Sequence, residues 1–141
     1  MKLEYTTDIC GNEILQDETG EHQVMMAWEK PYMEKCIEYL DPHGSVLEIG
    51  FGLGYSATKL CSYENVSHYT VVECCPEVWT KFDLFKTEMN DKHPDLKVNM
   101  IKGRWEDVLS QCGIFDSVFF DDYNGSITHE SQNRFNKFLY Q

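Results

Sequence analysis

The run SVLEIGFGLG, residues 45–54, constrains the fold more than any other part of this chain. A short apolar segment stops at Gly50, Gly52 and Gly54, on alternate positions. That combination suits a strand delivered into a sharp turn, because glycine accepts backbone conformations that other residues avoid and lets the chain approach a neighbour or a ligand closely. The rest alternates. "YSATKLCSY" reads as a helix, "HYTVVE" as a second strand, and "PEVWTKFDLFKTEMN" as a helix begun by Pro76 that carries Val78, Trp79, Phe82 and Phe85 toward a core. "KVNMIKG" follows as a third strand, "RWEDVLSQC" as a helical turn or two, and "FDSVFFDD" as a fourth strand. The closing "SQNRFNKFLYQ" sets Phe135, Phe138 and Leu139 at helical spacing. Strands separated by helical segments predict parallel pairing with helices as crossovers, an α/β layered sheet. Such sheets bind ligands beyond the carboxyl ends of their strands.

Ahead of this unit, "MMAWEKPYMEKCIEYL" places Trp28, Tyr32, Cys36 and Leu40 at intervals of four, thickened by Met25, Met33 and Ile37. This is an amphipathic helix whose regular part is expected to begin at Pro31. Residues 1–23 are polar and turn-rich and are expected to form an extended or loosely ordered arm, or a lid, before a domain of residues 24–141. Trp28, Trp79 and Trp105 read as packing residues.

A chain of 141 residues suits one hydrophobic core. Its 24 acidic against 12 basic side chains give a formal charge of -12, which repels a nucleic acid backbone and attracts a cationic substrate. The chain opens without a secretory signal pattern and contains no run of the roughly 18 apolar residues a membrane span needs, so a cytoplasmic protein without a membrane partner is expected. The 6 cysteines form no C-x-x-C pair and the histidines no cluster, so no metal is expected.

The glycine spacing here is G-x-G-x-G with Glu48 two residues before the first, unlike the G-x-G-x-x-G of dinucleotide sites, and Glu73 ends the second strand about 20 residues on, where a ribose-binding acid is expected. This pattern resembles motif I of class I S-adenosylmethionine-dependent methyltransferases. "VMMAWEKPYM", "GRWEDV" and "FDSVFFDDY", together with "VLEIGFGLG" and "HYTVVE", narrow the resemblance to guanidinoacetate N-methyltransferase and its relatives, the protein arginine δ-N-methyltransferases, from about Val24 onward.

The resemblance implies a Rossmann-like class I methyltransferase fold with S-adenosyl-L-methionine as cofactor. Met25 and Met33 would line the cofactor, Glu48 would lie near its ammonium end, and Gly50, Phe51, Gly52, Leu53, Gly54, Tyr55 and Ser56 would form its loop. Glu73 would hold the ribose, with Cys74 and Cys75 on the adenine side and Trp105 and Glu106 beside the adenine. Glu29 would hold the guanidino group, Asp121 would be the catalytic carboxylate, and Tyr123 would stand on the substrate side, with Asp122 left as a turn residue. The implied reaction is conversion of guanidinoacetate to creatine. δ-N-methylation of an arginine in a protein is the alternative, and a non-catalytic cofactor-binding or interaction module the reading of another class. Two carboxylates suit the chemistry: a guanidinium is protonated and delocalised, so one nitrogen must be oriented and relieved of a proton. Since such sheets normally continue past the fourth strand, the chain reads as a truncated domain, expected to self-associate through an incomplete sheet edge.

Overall fold

The computed structural model describes residues 2–122 and 129–141. Two sheets make up its β structure. The first is an antiparallel meander of β1 (Leu3–Thr7), β2 (Glu13–Asp17) and β3 (Gln23–Met26). The second contains β4 (Gly44–Ile49), β5 (Val66–Glu73), β6 (Lys97–Lys102) and β7 (Ser117–Phe120) in the order β6-β5-β4-β7, every pair parallel. Helices α1 (Lys30–Leu40), α2 (Tyr55–Cys61), α3 (Pro76–Lys92), α4 (Trp105–Val108) and α5 (His129–Leu139) complete the α/β unit that the alternation predicts.

An ordered meander stands where an extended or loosely ordered arm, or a lid, is expected before residue 24. Its turns are built by short acids: the Asp8 carboxylate accepts the backbone N–H groups of Cys10 and Asn12 at 2.8 and 2.9 Å, and Asp17 accepts the Thr19 hydroxyl at 2.9 Å. Leu3 and Leu15 are buried against the main core, and Lys81 of α3 pairs with Glu13 at 2.7 Å. The polar composition of this segment conceals the few apolar residues that pin it down.

The parallel sheet is covered on both faces, so its strands are apolar on both sides. Val46, Tyr69, Val71 and Val98 pack with Met33 and Ile37 of α1, Leu60 of α2, and Val78, Phe82 and Phe85 of α3. Leu47, Ile49 and Val72 face the other way, against Trp105 of α4, with Phe120 and Phe138 packed around them. Phe138 of α5 lies 4.5 Å from Phe120 between ring centroids, as its helical spacing predicts, while Leu139 stays exposed.

The first helix turns a different face inward from the expected one. A short 3-10 turn over Ala27–Glu29 precedes α1, and Pro31 falls in the first turn of the helix. Met33 and Ile37 are buried, whereas Trp28 and Tyr32 remain 69% and 66% exposed, so Trp28 is not a packing residue. Two stripes of helical spacing share this segment, and the sheet selects the narrower aliphatic one. Trp79 is half-buried at the edge of the core, its indole N–H donating to the Glu73 carbonyl at 2.9 Å. Among the described residues no helix is long and apolar enough to cross a membrane.

Candidate active site

The carboxyl ends of β4, β5 and β7 meet at the glycine loop. Gly50 has φ 88°, and a Cβ built there would lie 2.4 Å from the Asp121 carbonyl oxygen, so β4 and β7 can end side by side only if residue 50 has no side chain. Gly52, at φ 56°, meets Met25 instead: its Cβ would sit 3.0 Å from the thioether sulfur. The loop is tied from three directions. The Phe51 N–H donates to Glu73 Oε2 at 2.9 Å, the Tyr5 hydroxyl of β1 donates to the Gly52 carbonyl at 2.8 Å, and the Leu53 N–H points at Met25 Sδ at 3.3 Å.

Beside this loop opens a cavity of about 510 Å³, within the usual range for a small-molecule site. The structure brings together on its wall Met25, Glu29, Gly50, Gly52, Glu73, Cys74, Cys75, Trp105, Glu106 and Asp121, all expected from sequence. Met33, Glu48, Phe51, Leu53, Gly54, Tyr55 and Ser56 do not line the cavity, and all but the half-buried Tyr55 are buried. Phe51 stacks edge-on to Phe82 and Phe85 in the core, and Met33 packs there too. Tyr123 lies outside the described residues. The wall also includes Leu3, Leu15, Val24, Arg104, Asp122 and Arg134. Leu3, Leu15 and Val24 are masked by their polar, turn-rich neighbours, and nothing local marks Arg134.

Glu48 is fully buried under the loop. It accepts the Tyr69 hydroxyl at 2.5 Å and the Ser56 hydroxyl, so it neither caps backbone amides nor reaches the cavity wall. Burial pushes its carboxyl up to about 8; the two hydroxyl donors oppose this and the charges of Asp121 and Glu73 reinforce it.

Asp121 follows β7, its N–H donating to the Ile49 carbonyl at 3.1 Å, with its side chain on the cavity wall. Burial, then the charges of Glu29 and Asp122, push its carboxyl up to about 6. Glu29 reaches the same cavity from the 3-10 turn before α1. It is fixed as a cap on its own 3-10 turn, accepting the Met26 N–H at 2.7 Å, and its remaining acceptor capacity faces the cavity it lines.

Asp122 is more than a turn residue. Its carboxylate pairs with the Arg134 guanidinium of α5, which also reaches Glu106 at 2.7 Å and lies 5.5 Å from the Trp105 ring centroid. Glu106 Oε2 and Trp105 Nε1 are buried with no hydrogen-bond partner among the described residues. Such groups on a cavity wall are suited to a polar ligand. At the end of β5, Glu73 Oε1 accepts the Cys75 N–H at 2.9 Å, and the Cys74 and Cys75 sulfurs are 3.8 Å apart. The hydrogen bond they share holds the Cys74 thiol below the usual cysteine range and Cys75 above it.

Protein arginine N-methyltransferase 2 of Yarrowia lipolytica is 34% identical over 134 residues, spanning 87% of this chain and 26% of that protein. Its namesake from Saccharomyces cerevisiae is 32% identical over 126 residues, spanning 85% of this chain and 28% of that protein. The chain therefore spans about a quarter of the length of these curated relatives. A spermidine synthase solved with the transition state analogue AdoDATO superposes with a TM-score of 0.57 at 14% identity, covering 87% of this chain and 47% of that one, a likeness of fold. The parallel order β6-β5-β4-β7 with helical crossovers is that of the Rossmann-like class I methyltransferase fold. The sequence profile of guanidinoacetate N-methyltransferase matches residues 13–140, and the chain belongs to that family.

Proposed function

We propose that this chain is an S-adenosylmethionine-dependent N-methyltransferase acting on a guanidino group. The observation that carries the reading is the pair of carboxylates, Glu29 and Asp121, on one cavity wall beside the glycine loop. The residues present fit the cofactor. Glu73 keeps free lone pairs for a ribose diol after accepting two backbone N–H groups, and the unpartnered Glu106 Oε2 suits the exocyclic amine of adenine. Met25, Gly52, Cys74, Cys75 and Trp105 complete the wall. When bound, the cofactor supplies a methyl group made electrophilic by its sulfonium.

The chain's own groups supply the rest. Glu29 and Asp121 grip the planar guanidinium through charge-assisted hydrogen bonds and fix which nitrogen faces the methyl donor. As that nitrogen gains a bond to carbon it becomes acidic, and its proton passes to an Asp121 carboxylate oxygen. The raised affinity of Asp121 for protons suits it to this acceptance.

Guanidinoacetate is the leading substrate, supported by the matched family profile. Arginine in a protein is the second reading, favoured by the names of the yeast relatives. A cytoplasmic setting goes with both. Calorimetry with S-adenosylmethionine, then transfer of a labelled methyl group to guanidinoacetate and to arginine peptides, tests the proposal. Transfer to one class and not the other identifies the substrate; cofactor binding without transfer to any guanidino compound would instead support a non-catalytic module. Self-association belongs to the same reading, since β7 pairs with β4 on one side and, among the described residues, with no strand on the other, and Val118 is 38% exposed. Sedimentation of the 141-residue chain should show mass rising with concentration; a monomer at all concentrations would remove this edge as an interface.

A further inference from the structure

Glu73, Cys74 and Cys75 occupy the end of β5 and the residue before α3, and all three line the cavity. One ligand atom from each lies within 4.8 Å of the others. A cation bound tetrahedrally by thiolates at about 2.3 Å requires sulfurs about 3.8 Å apart. The Cys74 and Cys75 sulfurs are 3.8 Å apart already. Cys74 is exposed and Cys75 half-buried, so a cation can reach them from the cavity. Adjacent cysteines do not form the C-x-x-C pattern by which zinc sites are usually found, which is why the sequence gives no sign of them.

We infer that Cys74, Cys75 and Glu73 form a site for a thiophilic divalent cation such as zinc, which competes with the nucleoside for the cavity. The two thiolates and one carboxylate oxygen supply three ligands, and water fills the fourth position. Binding breaks the two S–H bonds, forms two metal–sulfur bonds, and releases two protons to solvent, with no change of oxidation state. The competition rests on the proposed cofactor reading, because Glu73 cannot serve a metal and a ribose together. The metal site itself does not.

The test uses the reduced full chain. Equilibrium dialysis with zinc alone should give one high-affinity cation per chain. Cys74→Ser or Cys75→Ser should weaken it at least about tenfold, while Cys10→Ser, in the exposed β1–β2 turn, should leave zinc affinity unchanged. In the unsubstituted chain, zinc should protect Cys74 and Cys75 from alkylation and leave Cys10 reactive, as mapped by mass spectrometry; this holds even if a variant fails to fold. Equal zinc affinity in the double serine variant, or alkylation of Cys74 and Cys75 indifferent to zinc, would overturn the site. Added S-adenosylhomocysteine should release the zinc. Zinc and S-adenosylhomocysteine bound together would overturn the competition, whereas zinc binding with no affinity for the nucleoside would leave the metal site standing and remove the cofactor reading.

Discussion

Asp121 and Asp122 share a peptide bond and a cavity, yet they stand in opposite surroundings. Asp121 faces Glu29, a like charge, and its proton is held up to about 6. Asp122 is paired with Arg134, which also draws in Glu106 and covers Trp105. One side of the wall thus carries acidic charge awaiting a cationic partner, and the other has its cation built in. The comparison teaches that the number of carboxylates in a pocket says little about function; which of them the protein has already compensated decides what a ligand can do there.

The largest effect should come from breaking the uncompensated side. Asp121→Asn should lower methyl transfer by at least about 10²-fold while leaving cofactor affinity nearly intact, as expected for a positioned proton acceptor. Asp122→Asn should cost far less. Single-turnover transfer assays with both variants decide it, and a reversed order of damage would place the chemistry on the wrong residue.

Next in size is the acid at the end of β5. Glu73→Gln should weaken S-adenosylmethionine binding by about 1.5–3 kcal/mol, the scale of a charge-assisted hydrogen bond, measured by calorimetry. Unchanged affinity would show that neither side of the wall needs Glu73 to hold a nucleoside.

A pH profile tests whether the two acids feel each other. Since Asp121 must be ionised to accept a proton, kcat/KM should fall as pH drops through about 6, reaching about a tenth of its plateau one unit lower. Arg134→Gln leaves the Asp122 charge uncompensated beside Asp121, so this limb should move to higher pH. A limb that stays in place would show that the two sides are electrically independent.

The smallest effect on turnover belongs to a third carboxylate, satisfied by hydroxyls rather than by a guanidinium, whose role is in stability. Glu48 has its folded value raised to about 8, so its contribution to stability is complete below the ordinary glutamate range, near 4.3, and is lost as pH rises through 8. The free energy of unfolding, measured by denaturant titration, should therefore fall as pH rises from 5 to 8. Glu48→Gln should flatten that slope.

Most of the parallel sheet was legible because its strands are short apolar runs and the longer crossovers have helical spacing; the glycine loop and Glu73 follow from the same reading. The meander was not legible, since Leu3, Tyr5, Ile14 and Leu15 are too few to stand out among turn residues. Periodicity also failed to choose the inner face of α1, where Trp28 and Tyr32 compete with Met33 and Ile37 at equivalent spacing. Glu48 looked like a ligand contact from its place before the first glycine, but a strand's alternation carries it into the core. The partner of Asp122 comes from a separate helix, 12 residues away in the chain, and no local pattern encodes that meeting.

The three ties on residues 51–53, to Glu73, Tyr5 and Met25, have a thermodynamic consequence. A glycine-rich loop is normally the floppiest part of a site, and a ligand that must immobilise it loses part of its affinity to that ordering. Here much of the ordering is completed when the protein folds, and the meander is the element that completes it. The affinity of the cavity is therefore partly stored in a small sheet that carries neither Glu29 nor Asp121, and loosening that sheet would raise the entropic cost of every encounter.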